Sequence, residues 1–511
     1  MWGTDLDPLA QGRLKDADPV AVLDIGSNSI RLVVYERHGR VLTPLYNEKS
    51  AAGLGRGIAT TGKLSDQAVE RGIRAIRRFA LVVRLMQVSR FYVLATSATR
   101  EASNGAAFTA QVEAVTGVAV RVLTGMQEAH FSALGVLAGI NAFSGIVGDL
   151  GGGSLELARL EPNGETEGET HALGAIRIQD DSGLSLDQAG PIVRERIGRS
   201  SIVKHAAGRT FAAIGGTWRS FAKLHQIRSH YPLHMVQHYT IAAADAIELC
   251  DLIISAAKNR RALTGMREIS ANRRELLPYG SVVLGELLRQ GEFSEVVFSA
   301  LGVREGYLFS LMTEDERHAD PLLVGAAEMA QLRARSPLHG AELVGFSDTF
   351  FAATGIAETP TENRLRIAAC HLSDIGWRGH PDYRGEQSVD LIAFGSMTGI
   401  DHKERAFLAE VLAVRYMGLK HKSGSAPVMK LAGEVASRRA RLLGAVFRLA
   451  YPLSAGMPGV LGRLGFDTVD DRLVLDVPRE WEFIAGERVR ARLKNLADEA
   501  GFTGCGISTD P

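Results

Sequence analysis

Asp149-Leu150-Gly151-Gly152-Gly153-Ser154-Leu155-Glu156 is the stretch on which the reading of this chain turns. Apolar runs flank it, at residues 144–149 and 155–160, so it reads as two strands joined by a glycine turn. Three consecutive glycines lose more backbone entropy than a simple hairpin requires, and they let the main chain approach another group closely. Successive N–H groups in such a turn form a concave donor nest for phosphate oxygens, and the Ser154 hydroxyl adds a further donor. Asp149 and Glu156 stand at the strand–turn edges, a placement that suits a water-liganded Mg²⁺ beside a bound phosphate. A flexible turn between two solvated acids would use the same residue types, so the loop needs corroboration.

It finds some about 125 residues earlier, where the same form occurs. A short apolar strand ends at Asp24, Gly26-Ser27-Asn28-Ser29 makes a turn, and residues 30–35 resume as a strand. Gly, Ser and Asn are ordinary turn residues, but Ser27 and Ser29 also supply hydroxyl donors at a second Asp-led loop. The flanks of the two loops share little sequence, so the repeat is one of architecture. A third glycine pair, Gly215-Gly216-Thr217, follows an apolar strand at 211–214 and opens a helix at Trp218. A fourth strand, 296–300, leads to Gly302, Arg304, Glu305 and Gly306.

Between these landmarks, helical spacing of Ala68, Ile73, Ile76, Phe79, Ala80 and Val83 predicts a helix over 65–86, with its arginines mostly on the other face. Strands are expected at 91–95 and 119–123, and helices at 104–116, 125–137 and 241–257. Beyond residue 313 the patterns are nearly all helical to about 465, followed by turns and a short strand over 469–478. Arg438, Arg441 and Arg448 fall on one face of a helix there, a basic path for a polyanion or a plain solvated face.

Composition excludes several classes. At roughly 100–200 residues per domain, 511 residues predict two to four domains. Lys+Arg and Asp+Glu are 58 each, so no bulk positive charge holds nucleic acid, and 6% aromatics do not favour a base-stacking surface. Cys250, Cys370 and Cys505 lie far apart with no CxxC, which fits a reducing compartment without a disulfide framework or structural zinc. Residues 1–18 are polar and read as a loose tail, not a signal peptide, and no run of 18 apolar residues occurs. The expectation is a cytoplasmic protein with no membrane and no nucleic-acid partner.

Two Asp-led phosphate loops, one per half, resemble the actin, sugar-kinase and Hsp70 superfamily, in which the loops face each other across a cleft. No GxxxxGK[ST] occurs, and no GxGxxG opens a helix. Six motifs then follow in order: DIGSNSIRLVVYE (24–36), ATSATREASN (95–104), VLTGMQEAHFSALGV (122–136), GDLGGGSLELA (148–158), AIGGTWRSFAKL (213–224) and FSALGVREGYLF (298–309). Together they resemble the exopolyphosphatase/guanosine pentaphosphate phosphohydrolase (Ppx/GppA) family, strongly over 18–312 and weakly beyond. The resemblance implies an α/β fold of two actin-like (ribonuclease H-like) domains around a cleft, 18–137 and 138–312, followed by a mostly α, HD-like C-terminal domain, 313–511.

It also implies an activity: hydrolysis of terminal phosphoanhydride bonds of inorganic polyphosphate to orthophosphate, with Mg²⁺ or Mn²⁺ as cofactor, by a homodimer. The rival substrate is pppGpp, converted to ppGpp, and a third reading is a non-catalytic sensor of polyphosphate or ppGpp. A kinase would need pockets for a sugar hydroxyl and a nucleotide, and the sequence identifies neither. Within the resemblance Glu128, in Gly125-Met126-Gln127-Glu128-Ala129, is the general base, although Gln127 stands where many relatives have a second Glu. Arg100 is the arginine that touches terminal phosphate oxygens, with Asn104 shaping the same turn. The phosphate loops are Gly26, Ser27, Asn28 and Ser29, then Gly151, Gly152, Gly153 and Ser154, with Thr217 in the third. Asp149 and Glu156 are the metal candidates, with Asp24 acting through water. Arg304 is either a further phosphate contact or an ion pair. Residues 368–376, AACHLSDIG, resemble an HD signature in which Ser373 replaces the metal-binding His, and Tyr451 stands where a final Asp ligand would be. One His and one Asp do not hold a dinuclear site, so no second hydrolase is expected there.

Overall fold

The computed structural model describes residues 14, 17–162, 164 and 166–509. The expected tail over residues 1–18 lies almost wholly outside the described residues. The chain separates into two compact units, dividing between Ala319 and Asp320. The helix Glu314–His318, beyond the boundary expected at residue 312, therefore stays with the first unit.

The first unit holds two sheets. In the first, β1 (Val20–Ile25), β2 (Ile30–Tyr35), β3 (Pro44–Ser50), β4 (Arg90–Ala95) and β5 (Val120–Val122) are arranged 3-2-1-4-5, antiparallel among the first three and parallel thereafter. In the second, β6 (Gly145–Leu150), β7 (Leu155–Leu160), β8 (Thr166–His171), β9 (Thr210–Ile214), β10 (Tyr239–Ala242) and β11 (Glu295–Phe298) are arranged 10-11-9-6-7-8. Read from β8, the order 8-7-6-9-11 repeats that of the first sheet, and β10 is an antiparallel addition at the edge. The repeat therefore extends from the glycine loops to whole sheets, an actin-like α/β architecture.

β1 is apolar on both faces because both are covered. Ala21, Leu23 and Ile25 enter one core, while Val20 and Val22 enter another. The helix Gly125–Gly139 fills the space between the sheets. Phe131, Leu134 and Ala138 pack with Val20, Val22 and Tyr35, while Ala129, Ala133 and Val136 pack with Val147, Ala158 and Ala212. A helix that is apolar all round is a buried one. It crosses the helix Val303–Ser310 at glycines: a Cβ on Gly306 would strike the Phe131 carbonyl, and one on Gly135 would strike Gly302.

The segment expected as a helix over 241–257 begins instead as β10, whose burial alternates through Tyr239, Thr240, Ile241 and Ala242; the helix runs from Ala243 to Lys258. That strict alternation is a strand period.

The second unit is mostly helical and carries one sheet of β12 (Gly465–Val469), β13 (Arg472–Asp476) and β14 (Gly504–Ser508). β14, beyond the elements expected from the sequence, forms by parallel pairing with β13. The expected basic face on the helix Glu434–Ser454 is divided. Arg441 pairs with Glu499, while Arg448 donates to the carbonyls of Val414 and Arg415. Among the described residues no helix is long and apolar enough to cross a membrane.

Candidate active site

The two Asp-led loops fold identically. Ile25 pairs with Ile30 across one turn and Leu150 with Leu155 across the other, so each turn has four residues. In each, the first N–H donates to the fourth carbonyl: Gly26 to Ser29 at 3.1 Å and Gly151 to Ser154 at 3.0 Å. The loops meet. A Cβ on Gly152 would lie 3.0 Å from Ser27 Cβ and 3.1 Å from Ile176 Cδ1, and one on Gly174 would strike the Gly152 carbonyl group. Ser27 also shares a 3.0 Å hydrogen bond with Ser97. The third loop closes against the second at Gly215, which has φ +102°, a conformation L side chains rarely adopt; a Cβ there would strike the Leu150 carbonyl.

Between the loops lies a cleft cavity of about 170 Å³. Of the residues expected to bind phosphate, Gly26, Ser27, Asn28, Ser29, Gly151, Gly152, Ser154 and Thr217 line it, together with Glu128, Asp149, Glu156 and Asp24. Gly153 instead faces a smaller adjoining pocket beside Ser97.

Glu128 reaches the cleft from the first turn of the buried helix. The helix start is fixed by a capping box: Thr124 Oγ1 accepts from Gln127 N at 3.2 Å, and Gln127 Oε1 accepts from Thr124 N at 3.0 Å. Gln127, the departure noted above, is thus the capping residue. Gly125 is required because a Cβ there would lie 2.6 Å from the Thr170 side chain. Only 6% of Glu128 is exposed, and burial pushes its carboxyl up to about 7, against the opposing pull of Arg100.

Arg100 does not reach toward the loops. Its Nη1 donates to the Glu128 carboxylate and, at 2.5 Å, to the Leu123 carbonyl, and it does not line the cavity. It holds the Glu128 carboxylate. Asn104 acts as a local brace, exchanging hydrogen bonds of 2.8 and 2.9 Å with the Leu64 backbone.

Asp149 and Glu156 face each other as register partners on β6 and β7. Both are pushed up by burial, although Ser132 donates to Asp149 at 2.7 Å and Thr170 to Glu156 at 3.1 Å. Asp24, expected to act through water, gives one oxygen to Arg304 at 2.8 Å. Arg304 is therefore an ion pair, held also by Glu305, whose other oxygen accepts from Gly302 N at 2.9 Å. Among the described residues no group of three or more His, Cys, Asp or Glu side chains is gathered closely enough to hold an ion alone. An all-oxygen pair of carboxylates, Glu156 buried and Asp149 half-buried, without an ion-pair partner among the described residues, nevertheless fits a hard divalent ion that keeps water and phosphate ligands.

Sequence reasoning named Arg304 but missed the rest of the basic wall. Arg219, Arg273 and Arg304 line the cavity, and Arg273 Nη1 donates to Thr217 Oγ1 at 3.3 Å. Arg219 is pulled down to about 10 by burial, then by Arg304 and Arg31. Lys49 on β3 is pulled down to about 8 by burial, then by Arg273, Arg219 and Arg31. Arg31 and Arg219 lay inside quoted motifs; Arg273, on the short helix Ala271–Arg274, carried no signal.

A model described as the Ppx/GppA phosphatase family matches residues 32–315. The chain belongs to that family. A second model, exopolyphosphatase C-terminal, matches residues 322–504 of this Ppx/GppA protein. It is 27% identical over 290 residues to exopolyphosphatase 2 of Mycobacterium tuberculosis, covering 53% of this chain and 90% of the relative. It is 24% identical over 436 residues to retrograde regulation protein 2 of Saccharomyces cerevisiae, covering 78% and 72%. Among solved structures, an exopolyphosphatase-like protein aligns with TM-score 0.50 and 25% identity over 58% of this chain and 98% of the other. An exopolyphosphatase from Cytophaga hutchinsonii aligns with TM-score 0.51 and 20% identity over 57% and 97%, a likeness of fold.

Proposed function

We propose that this Ppx/GppA protein is an exopolyphosphatase that removes orthophosphate from the end of inorganic polyphosphate. The observation that carries this reading is the lining of the cleft: two glycine loops, four carboxylates and three arginines, and among its described residues no aromatic side chain. Phosphate groups satisfy loop N–H groups and guanidinium forks, whereas a guanine base gains most from a stacking face that this lining does not offer. The identity with the mycobacterial exopolyphosphatase supports the same substrate.

In this reading the terminal phosphate sits between the two loops, with Arg219 and Arg273 drawing off charge as the bridging bond lengthens. Glu128 orients a water in line and takes its proton; a carboxyl with pKa about 7 is well matched to that exchange near neutrality. The water oxygen bonds to phosphorus, the bridging P–O bond breaks, and the departing chain keeps the bridging oxygen as its new end. Asp149 and Glu156 would hold Mg²⁺ or Mn²⁺, which supplies charge neutralisation on the phosphates.

Long-chain polyphosphate digested with Mg²⁺ and resolved by size tests this. Orthophosphate alone, beside progressively shortened chains, is expected. Release of internal fragments, or no release, contradicts the reading. The yeast relative aligned over 78% of the chain favours a second reading, a regulator that binds the anion without turning it over; binding without orthophosphate release would select it.

A further inference from the structure

The second unit contains an arginine-lined pocket beside the segment that resembles an HD signature. There Ser373 Oγ and Tyr451 Oη share a 2.8 Å hydrogen bond. Asp374 is gripped by Arg335, with Nε–Oδ2 at 2.7 Å and Nη2–Oδ1 at 2.9 Å, and Arg415 stands 3.7 Å away. The positions that would bind metal in an HD domain are knitted to one another and to arginines.

Next to them opens a cavity of about 330 Å³, lined by Arg335, Arg384, Arg415, Arg448, Arg488 and Arg492 with one carboxylate, Asp374. Among the described residues no carboxylate comes within 4.0 Å of the guanidinium groups of Arg384, Arg448, Arg488 or Arg492, so six cations share the single acid that Arg335 already holds. This is not a charged run on one helix. Arg448 comes from the helix Glu434–Ser454, Arg415 from His402–Met417, Arg384 from the start of Arg384–Ala393, and Arg488 and Arg492 from Glu487–Ala500.

Two of the arginines, besides Arg335, are held in place. Arg415 lies 3.3 Å over the Tyr451 ring centroid and 4.5 Å over that of Tyr416, and its buried Nε has no hydrogen-bond partner. Arg448 is anchored by the carbonyls of Val414 and Arg415 at 3.1 and 3.2 Å. It is pulled down to about 10 by burial and then by Arg492, Arg415 and Arg488, a repulsion that a bound anion would relieve. Guanidinium forks match phosphate oxygens in pairs, and one carboxylate or one orthophosphate leaves most of this charge unanswered.

We propose that this pocket binds a compact anion bearing two or more phosphate groups, at a site built wholly from the second unit. The ligand is an inorganic oligophosphate or the phosphate tail of a nucleotide, and binding is independent of the cleft. Calorimetric titration of the full chain, carrying Glu128→Ala to suppress turnover, tests it in two arms, tripolyphosphate and GTP. At least one anion is expected to show a binding phase that Arg488→Glu/Arg492→Glu weakens at least tenfold. A second variant, Arg384→Gln on another wall, should weaken the same phase. The arm that responds identifies the source of the phosphates, and both responding indicates that the phosphates alone are read. In the chain with Glu128 intact, both variants should keep orthophosphate release from polyphosphate within twofold, which separates this site from the cleft. Affinities for both anions within twofold of the parent in both variants, or no binding of either anion beyond the cleft, would overturn the proposal.

Discussion

Replacing Glu128 with alanine is expected to lower kcat for orthophosphate release from polyphosphate by about 10²–10⁴-fold, the usual worth of a general base. That range corresponds to about 3–5 kcal/mol of barrier. Substrate affinity should change little, because in the proposed reading the loops and the arginines, not Glu128, carry the phosphates. Two features of the structure make the effect specific. The carboxylate is buried at the first turn of a helix wedged between two sheets, so no neighbouring side chain slides into its place. Its carboxyl sits at about 7, so it is half ionised near neutrality. A base must be ionised to act, so kcat/KM should rise through about pH 7 and level off above it. Arg100 opposes the burial that raises this carboxyl, so Arg100→Met should move the rise to higher pH. A loss below tenfold in Glu128→Ala, with the pH limb unchanged, would mean that another group activates the water.

Gly152→Val should lower kcat/KM by at least about 10²-fold, on the scale of losing donors to a transition-state oxyanion. The Cβ alone would stand 3.0 Å from Ser27 Cβ and 3.1 Å from Ile176 Cδ1, at the place where the two loops touch. The branched side chain must then displace one loop or fill the space a phosphate would take. Circular dichroism should show a folded chain, since the contact lies at the cleft, where Ile176 forms the edge of its core. Near-normal kcat/KM would mean that the glycine loop is only a turn.

The loops were legible because both of their requirements are local. A strand ending in Asp, a small-residue turn and a returning strand are visible in a window of a dozen residues, and the recurrence near residues 24 and 149 exposed the duplicated sheets. Glu128 was legible only through its motif. Its helix is apolar on all sides, so periodicity gives no face, and its depth comes from two sheets distant in sequence. Arg100 was expected at the phosphate from motif likeness alone; its contact with Glu128 was not legible, because it is set by how the short helix Ser97–Glu101 and the buried helix pack. The basic wall was hidden for a similar reason. Arg273 belongs to a four-residue helix without pattern, and it reaches the cleft because a glycine at 216 leaves room: a Cβ there would lie 2.8 Å from Arg273 Nη1. β14 was missed because its glycines carry loop propensity and its pairing with β13 is tertiary.

The most direct test of the central claim is orthophosphate release with Mg²⁺ from long-chain polyphosphate and from pppGpp, measured in parallel as kcat/KM, with Glu128→Ala as control. A cleft lined by loops, carboxylates and arginines, with no aromatic side chain among its described residues, predicts that polyphosphate is much the better substrate and that the control lowers release from both by about 10²–10⁴-fold. A higher kcat/KM for pppGpp would contradict the account and make the cleft a guanosine site.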